Sequence, residues 1–206
     1  MTAPRPSRPV LLPSDWDGIE GAPDPAERTV AAHSTAAAVV RAGRETGDPA
    51  VTERLVRLVE TVGLDELADL WRDSPEDTLP GTLWQLYLLR TWVQRNGVEA
   101  ARVYDAGRRV AEVSSAVAGV AEPPGPAEVA ALGDAVLTSA FDGDFAVALE
   151  RAAAFCSVVA VGRAHVADDV ADAGLASAQT RLAAGNARMA QSLATAARLW
   201  REDRLT

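Results

Sequence analysis

Apolar residues recur three and four positions apart along most of the chain, and no stretch shows the sustained period-two alternation of a half-buried β-strand. The spacing i, i+3, i+4, i+7 is clearest in one late stretch, which carries it at Phe145, Ala148, Leu149, Ala152, Cys156 and Val159. Such a pattern is typical of amphipathic helices that bury one side each. We therefore expect an all-α protein, with roughly seven or eight helices in a single bundle domain.

Helix starts are marked by capping residues. Asp24 precedes Pro25, and Asp48 precedes Pro49, which is the cap-then-proline order of a helix N-terminus. Glycine, proline and Asn-Gly signals mark the ends. The predicted helices cover about residues 24–44, 49–62, 65–71, 81–96, 98–120 and 126–141, a stretch that begins at 145, and a C-terminal tail at 168–203.

Residues 1–23 have a different composition and are rich in proline, which predicts a flexible, extended arm ahead of a helical domain at 24–206. Trp16 stands in this arm within the acidic stretch PSDWDGIEG. A lone aromatic residue of this kind either docks on a protein partner or folds back into a groove of its own domain. The sequence leaves both possibilities open.

The segment TLPGTLWQLYLLRTWVQRNG, residues 78–97, is apolar on nearly all sides and predicts a centrally buried helix with Leu88 in the core. Arg90 interrupts it, so this side chain either reaches solvent at the helix edge or pairs with a buried carboxylate. Together with Trp84, Tyr87 and Trp92, Arg90 is a candidate lining of an apolar small-molecule pocket with one charged anchor.

Charge and cysteine content narrow the classes of function. The net charge of −9 and the pI of about 4.7 disfavour nucleic acid and anionic membrane surfaces, although Arg102, Arg108 and Arg109 form a local basic cluster. A single cysteine excludes an internal disulfide and predicts a reducing compartment. The N-terminus has no apolar signal-peptide core, and no later segment runs 18 residues without charge, so we expect a cytoplasmic protein that spans no membrane.

No motif assigns a catalytic residue, a metal or a cofactor. Asp168, Asp169 and Asp172 have the DDxxD spacing that resembles the diphosphate-magnesium motif of prenyl-transferring enzymes, but a solvated helix start explains them more simply. His33 and His165 lack the Glu-x-x-His context of di-iron bundles. Cys156 lies on the apolar stripe, so we expect it to be a core residue rather than a nucleophile.

Three segments, LPGTLWQLYLLRTWVQR, AGVAEPPGP and GDFAVALERAAAFCSVVA, together resemble a group of uncharacterised small helical proteins of GC-rich bacteria. The resemblance covers roughly residues 75–165. Some members of that group are labelled RNA polymerase β subunit, which is a far larger protein that contains sheet. The resemblance implies a helical fold and, at most, association with polymerase, and it transfers no functional residue.

The C-terminal tail carries Leu175, Leu182 and Met189 at heptad spacing with the small residues Ala178 and Gly185 between them. This pattern predicts a close helix-helix contact, and two heptads are too few for a free-standing coiled coil. We therefore expect docking within the chain and favour a monomer. The leading functional prediction is a non-enzymatic helical interaction or regulatory protein, with the N-terminal arm as one route to a protein partner and a small-molecule-binding domain or enzyme as the alternative.

Overall fold

The computed structural model describes residues 24–45, 64–110, 131 and 144–206. These residues form an all-α fold, as the periodicity predicts, and no strand occurs among them. Six helices are described in full. They are α1 (Pro25–Glu45), α2 (Leu64–Trp71), α3 (Leu79–Arg95), α4 (Gly97–Val110), α5 (Phe145–Asp169) and α6 (Ala173–Arg201).

Four short polar side chains begin these helices as caps. Asp24 accepts a hydrogen bond from the Ala26 amide at 2.9 Å, which confirms the predicted start of α1. The other three caps are Thr78 for α3, Asp144 for α5 and Asp172 for α6. Each supplies an acceptor to backbone amides that have no partner within the first turn.

The core is built on the hairpin of α5 and α6, which a three-residue connection at 170–172 joins and which pack along most of their length. Helix α5 contributes 14 buried residues, including Cys156 at 0% exposure, so the prediction that Cys156 is a core residue is confirmed. By length and composition α5 could also cross a membrane, but 61% of its most apolar window is buried within the fold. A buried core helix accounts for that composition.

Two glycines set the distance between α4 and α5. A Cβ atom on Gly107 would lie 1.9 Å from the Val158 carbonyl oxygen, and one on Gly162 would lie 1.8 Å from the Val103 carbonyl oxygen. Both distances are far below van der Waals contact, so the two backbones approach as closely as they do only because neither position has a side chain. The aromatic rings of Tyr104 and Phe155 stack near this crossing, with centroids 5.2 Å apart.

Helices α1, α2 and α3 pack against one another beside this core. The indole of Trp71, 1% exposed, donates a hydrogen bond to the Thr35 hydroxyl at 3.1 Å and so ties α2 to α1. The C-terminal residues return to the same region. Leu205 is 1% exposed, and the Thr206 carbonyl oxygen accepts a hydrogen bond from the amide of Leu79, the first residue of α3, at 2.9 Å.

Several expectations fall outside the described residues, namely the arm at 1–23 with Trp16, the predicted helices at 49–62 and 126–141, and the part of 98–120 beyond residue 110. The predicted helix at 168–203 begins later than expected, because Asp168 and Asp169 end α5 and α6 starts at Ala173.

The C-terminal helix makes a close helix-helix contact within the chain, as predicted, but the residues predicted to form that contact are wrong. Gly185 has no atom within 4 Å of an added Cβ, and Leu175 and Leu182 are 62% and 49% exposed. The tail does dock within the chain, as predicted, but the residues that bury it lie mainly in its second half: Ala183, Ala190, Leu193, Ala196 and Ala197. The heptad positions lie on one stripe of α6, but Leu175 and Leu182 in the first half of that stripe stay exposed.

Candidate functional site

Helix α3 has a buried side and a partly exposed side, so it is not buried all round. The buried side of α3 includes Leu79, Leu83, Gln85, Leu86, Leu89 and Val93. Leu88 is 38% exposed, and the prediction that it lies in the core is wrong. The reason is geometric, because at 100° per residue Leu88 points away from the direction shared by Leu86 and Leu89.

The exposed side of α3 carries a small aromatic cluster, which we call the α3 outer patch and define as Trp84, Tyr87 and Leu88. The rings of Trp84 and Tyr87 stack with centroids 5.4 Å apart and planes 20° apart. The Arg72 guanidinium lies 5.9 Å from the Trp84 ring centroid. Both aromatic side chains are half-buried, so the patch is held against the fold while its outer faces meet solvent.

The four residues predicted to line one pocket do not converge on one side of α3. Arg90 and Trp92 are two positions apart on the helix, which places their side chains roughly 160° apart around the axis. Arg90 is half-buried on one flank. Trp92 is half-buried on the other flank, where it contacts a residue of α5.

That residue is Arg163, the buried arginine that the sequence analysis missed. Its guanidinium donates hydrogen bonds to the carboxylate of Glu99 on α4 and to the side-chain oxygen of Gln179 on α6, both at 2.9 Å. Its Cζ atom lies 5.2 Å from the Trp92 ring centroid. One side chain from α5 therefore connects α3, α4 and α6, and we call these four residues the Arg163 cluster.

Burial makes the Arg163 cluster a structural junction rather than an open site. The side chain of Arg163 is 4% exposed, and its Nε atom is buried with no hydrogen-bond acceptor among the described residues. Glu99 is 39% exposed, so the ion pair reaches solvent only through its carboxylate. The cluster binds helices to one another, and its guanidinium is too little exposed to serve as an open binding site.

The reactive groups of the core are held in their protonated forms. Burial raises the pKa of the Cys156 thiol to about 12 from an ordinary value of 9.0. Burial also raises the pKa of Tyr104, and the nearby positive charge of Arg108 opposes that rise. A thiol with a raised pKa is a poor nucleophile, in agreement with the core role predicted for Cys156.

The acidic motif spans a turn rather than one helix face. Asp168 and Asp169 lie at the C-terminal end of α5, and Asp172 accepts a hydrogen bond from the Leu175 amide as the cap of α6. His165 lies in the last part of α5, as predicted, with its Nε2 atom 3.8 Å from an Asp169 carboxylate oxygen. Among the described residues no three His, Cys, Asp or Glu side chains are grouped as metal ligands.

Two of the arginines of α4, Arg108 and Arg109, form ion pairs within their own helix. Arg109 lies 2.7 Å and Arg108 lies 3.7 Å from the carboxylate of Asp105, and the side chain of Arg108 is only 17% exposed. Arg102 is exposed on the same helix. This arrangement presents fewer free positive charges than the sequence cluster suggested.

Two open clefts are lined by described residues, and neither includes the predicted pocket residues of α3. One, of about 400 Å³, lies between α1 and α2, and the other, of about 390 Å³, lies between the α2–α3 turn and α6. No family model, curated protein or solved structure matches the chain. No similar protein therefore indicates a function, and a proposal must be argued from the surfaces of the described residues, which include the α3 outer patch.

Proposed function

We propose that the protein is a cytoplasmic, non-enzymatic helical interaction protein that binds a protein partner through the α3 outer patch. The observation that carries the proposal is the stacked pair Trp84 and Tyr87 beside Leu88, on the side of α3 that points away from the core. Aromatic residues are enriched in the centres of protein interfaces, where they bury a large area at a low cost in conformational entropy.

The rest of α3 supports this role by holding the patch rigid. The opposite side of the helix is buried, and its polar residue Gln85 donates a hydrogen bond to the Ser192 hydroxyl at 2.9 Å, which ties α3 to α6. A partner that meets such a surface orders few additional side chains when it binds. The Arg72 guanidinium over Trp84 also pairs with the Asp69 carboxylate, so the edge of the patch carries an ion pair rather than an unpaired positive charge.

The alternative is a small-molecule site formed by Trp84, Tyr87, Arg90 and Trp92. The angle between Arg90 and Trp92 argues against a shared pocket, so we favour the protein-binding role for this helix. The sequence resemblance makes RNA polymerase the first partner to test. A monomer remains our prediction for the free protein.

The experiment compares two exposed apolar positions that receive the same charge. Leu88→Asp lies in the patch, and Val98→Asp lies on α4 at 75% exposure outside it. The tagged full-length protein is crosslinked in its native cells and purified together with the proteins crosslinked to it. Purified RNA polymerase is tested separately for direct binding. We expect one partner to be retained by the wild type and Val98→Asp and lost by Leu88→Asp.

Equal capture by all three proteins would place the partner surface elsewhere and reject the patch. Both variants should melt close to the wild type, since a charge at an exposed position costs little. If Leu88→Asp alone fails to fold, the outward orientation of Leu88 is wrong and the proposal fails with it.

A further inference from the structure

The cleft between α1 and α2 has an apolar base and a charged rim. Ala32, 2% exposed and part of the core, lies on the α1 side, and Leu70 lies on the α2 side. Across the rim the Arg28 guanidinium lies 3.5 Å from the Asp73 carboxylate, with side chains 48% and 75% exposed. The full lining is Pro25, Arg28, Thr29, Ala32, Leu70, Asp73, Ser74 and Pro75.

We propose that this cleft binds the chain's own residues 14–20, with the indole of Trp16 as the anchor, so that the N-terminal arm docks on its own domain. The cleft volume of about 400 Å³ is in the range of sites that hold one large side chain or a small ligand. Trp16 is the one aromatic residue among residues 1–23, which makes it the natural anchor of that segment.

The arm joins the described part of the chain at the cleft. Pro25 is both the first residue of α1 and part of the cleft wall, so the arm leaves the fold at the cleft itself. Trp16 lies eight positions before Asp24, a stretch that spans up to roughly 28 Å when extended, whereas α1 rises only about 10 Å between Pro25 and Ala32. The arm is therefore long enough to reverse, with Gly18 and Gly21 available for the turn.

Tethering and charge favour the chain's own segment over a separate molecule. A short tether gives an effective concentration of about the millimolar range, so even weak docking is populated. Asp15 and Asp17 flank Trp16, and either can replace the exposed Asp73 as the partner of Arg28. The net charge of −9 disfavours the approach of an acidic segment from another copy, whereas docking of the chain's own segment needs no association of two acidic molecules.

The experiment maps the position of the arm by crosslinking full-length protein. Ser14→Cys places a single reactive thiol two residues from Trp16, and buried Cys156 stays unlabelled because burial raises its pKa. A maleimide photo-crosslinker is attached at position 14, and the crosslinked peptides are identified by mass spectrometry. We expect crosslinks within one molecule to residues 25–32 and 70–75, with a yield that is independent of protein concentration.

Three variants in the same background test the chemistry. Trp16→Ala should remove most of these crosslinks, and Arg28→Glu should lower them severalfold by repelling the acidic flanks. Val30→Ala is the matched control, because Val30 is on α1 at 66% exposure and does not line the cleft, and it should leave the yield unchanged.

Crosslinks that join two molecules and increase with concentration would replace the proposal with docking between copies. Crosslinks spread over the surface, none at all, or an unchanged pattern in Trp16→Ala would reject it. Because the readout needs only the purified protein, its result is separate from that of the partner experiment on the α3 outer patch.

Discussion

The backbone crossing of α4 and α5 makes a sharp prediction, because the two backbones approach each other closely at Gly107 and Gly162. Replacing Gly162 with alanine would put a Cβ atom 1.8 Å from the Val103 carbonyl oxygen and 2.8 Å from the Gly107 nitrogen. Both neighbours are backbone atoms, which cannot rotate away as a flexible side chain can. The two helices must therefore separate for the variant to fold.

The size of the effect follows from that separation. Carbon-oxygen contacts between packed backbones are typically about 3.3–3.6 Å long, so α4 and α5 must move apart by about 1.5 Å. A gap of this size removes much of the dispersion energy of the surrounding pairs, including the Tyr104–Phe155 stack. Forcing extra volume into a packed site costs about 3 kcal/mol at the upper end of its usual range, and the helical preference of alanine over glycine returns about 1 kcal/mol. We expect Gly162→Ala to lose about 2 kcal/mol net.

Urea and thermal unfolding of the purified protein measure this loss, which corresponds to a fall in Tm of roughly 4–8 °C for a chain of this length. Gly185→Ala is the matched control. It adds the same methyl group inside α6 where no atom lies within 4 Å, so it should stabilise the protein by up to about 1 kcal/mol. The double variant Gly107→Ala with Gly162→Ala should cost less than the sum of the two, because one separation relieves both clashes. If Gly162→Ala is as stable as Gly185→Ala, the close crossing does not exist.

Four further predictions concern the buried polar and apolar groups. Glu99→Gln should destabilise the protein by about 1–3 kcal/mol, because it leaves the buried Arg163 cation without its carboxylate. Arg163→Met should cost less, because the Glu99 carboxylate that it leaves can be solvated. Urea unfolding that ranks the two variants in the opposite order would contradict this reasoning. Cys156 should react with a thiol reagent only as fast as the fold opens, and rapid labelling of native protein would refute its burial. Because the pKa of this thiol is raised in the folded protein, its contribution to stability is complete below pH 9.0 and should decline between pH 9.0 and about 12. The free energy of unfolding measured against pH should show this decline in the wild type and not in Cys156→Ala. Leu205→Ala should cost about 2–4 kcal/mol, and an unchanged melting curve would show that the C-terminal residues do not pack against the core.

The candidate site could be predicted only in part. The sequence identified α3 and its aromatic residues, but it assigned Leu88 to the core and selected Arg90 as the arginine of interest. The buried arginine is Arg163, whose partners Glu99 and Gln179 are 64 and 16 positions away along the chain. A signal for it was present, since Arg163 is the one charged residue in the run from Phe155 to Val166, but its partners could not be inferred from spacing within one helix.

Local patterns determined where the helices lie. Caps such as Asp24 and Asp144 act on amides two or three residues away, and apolar spacing within one helix depends only on the helix itself, so both can be read from the sequence. Tertiary structure alone decided which apolar side chains of a helix are covered by its neighbours. Leu182 and Leu193 lie on the same side of α6, yet one is 49% exposed and the other 0%, because neighbouring helices cover the side chain of Leu193 and leave that of Leu182 open. The same reason explains why Gly162 lies at a close helix crossing and Gly185 does not. Whether a glycine position can accept a side chain depends on which backbone lies opposite it, and contacts between residues far apart in the sequence decide that.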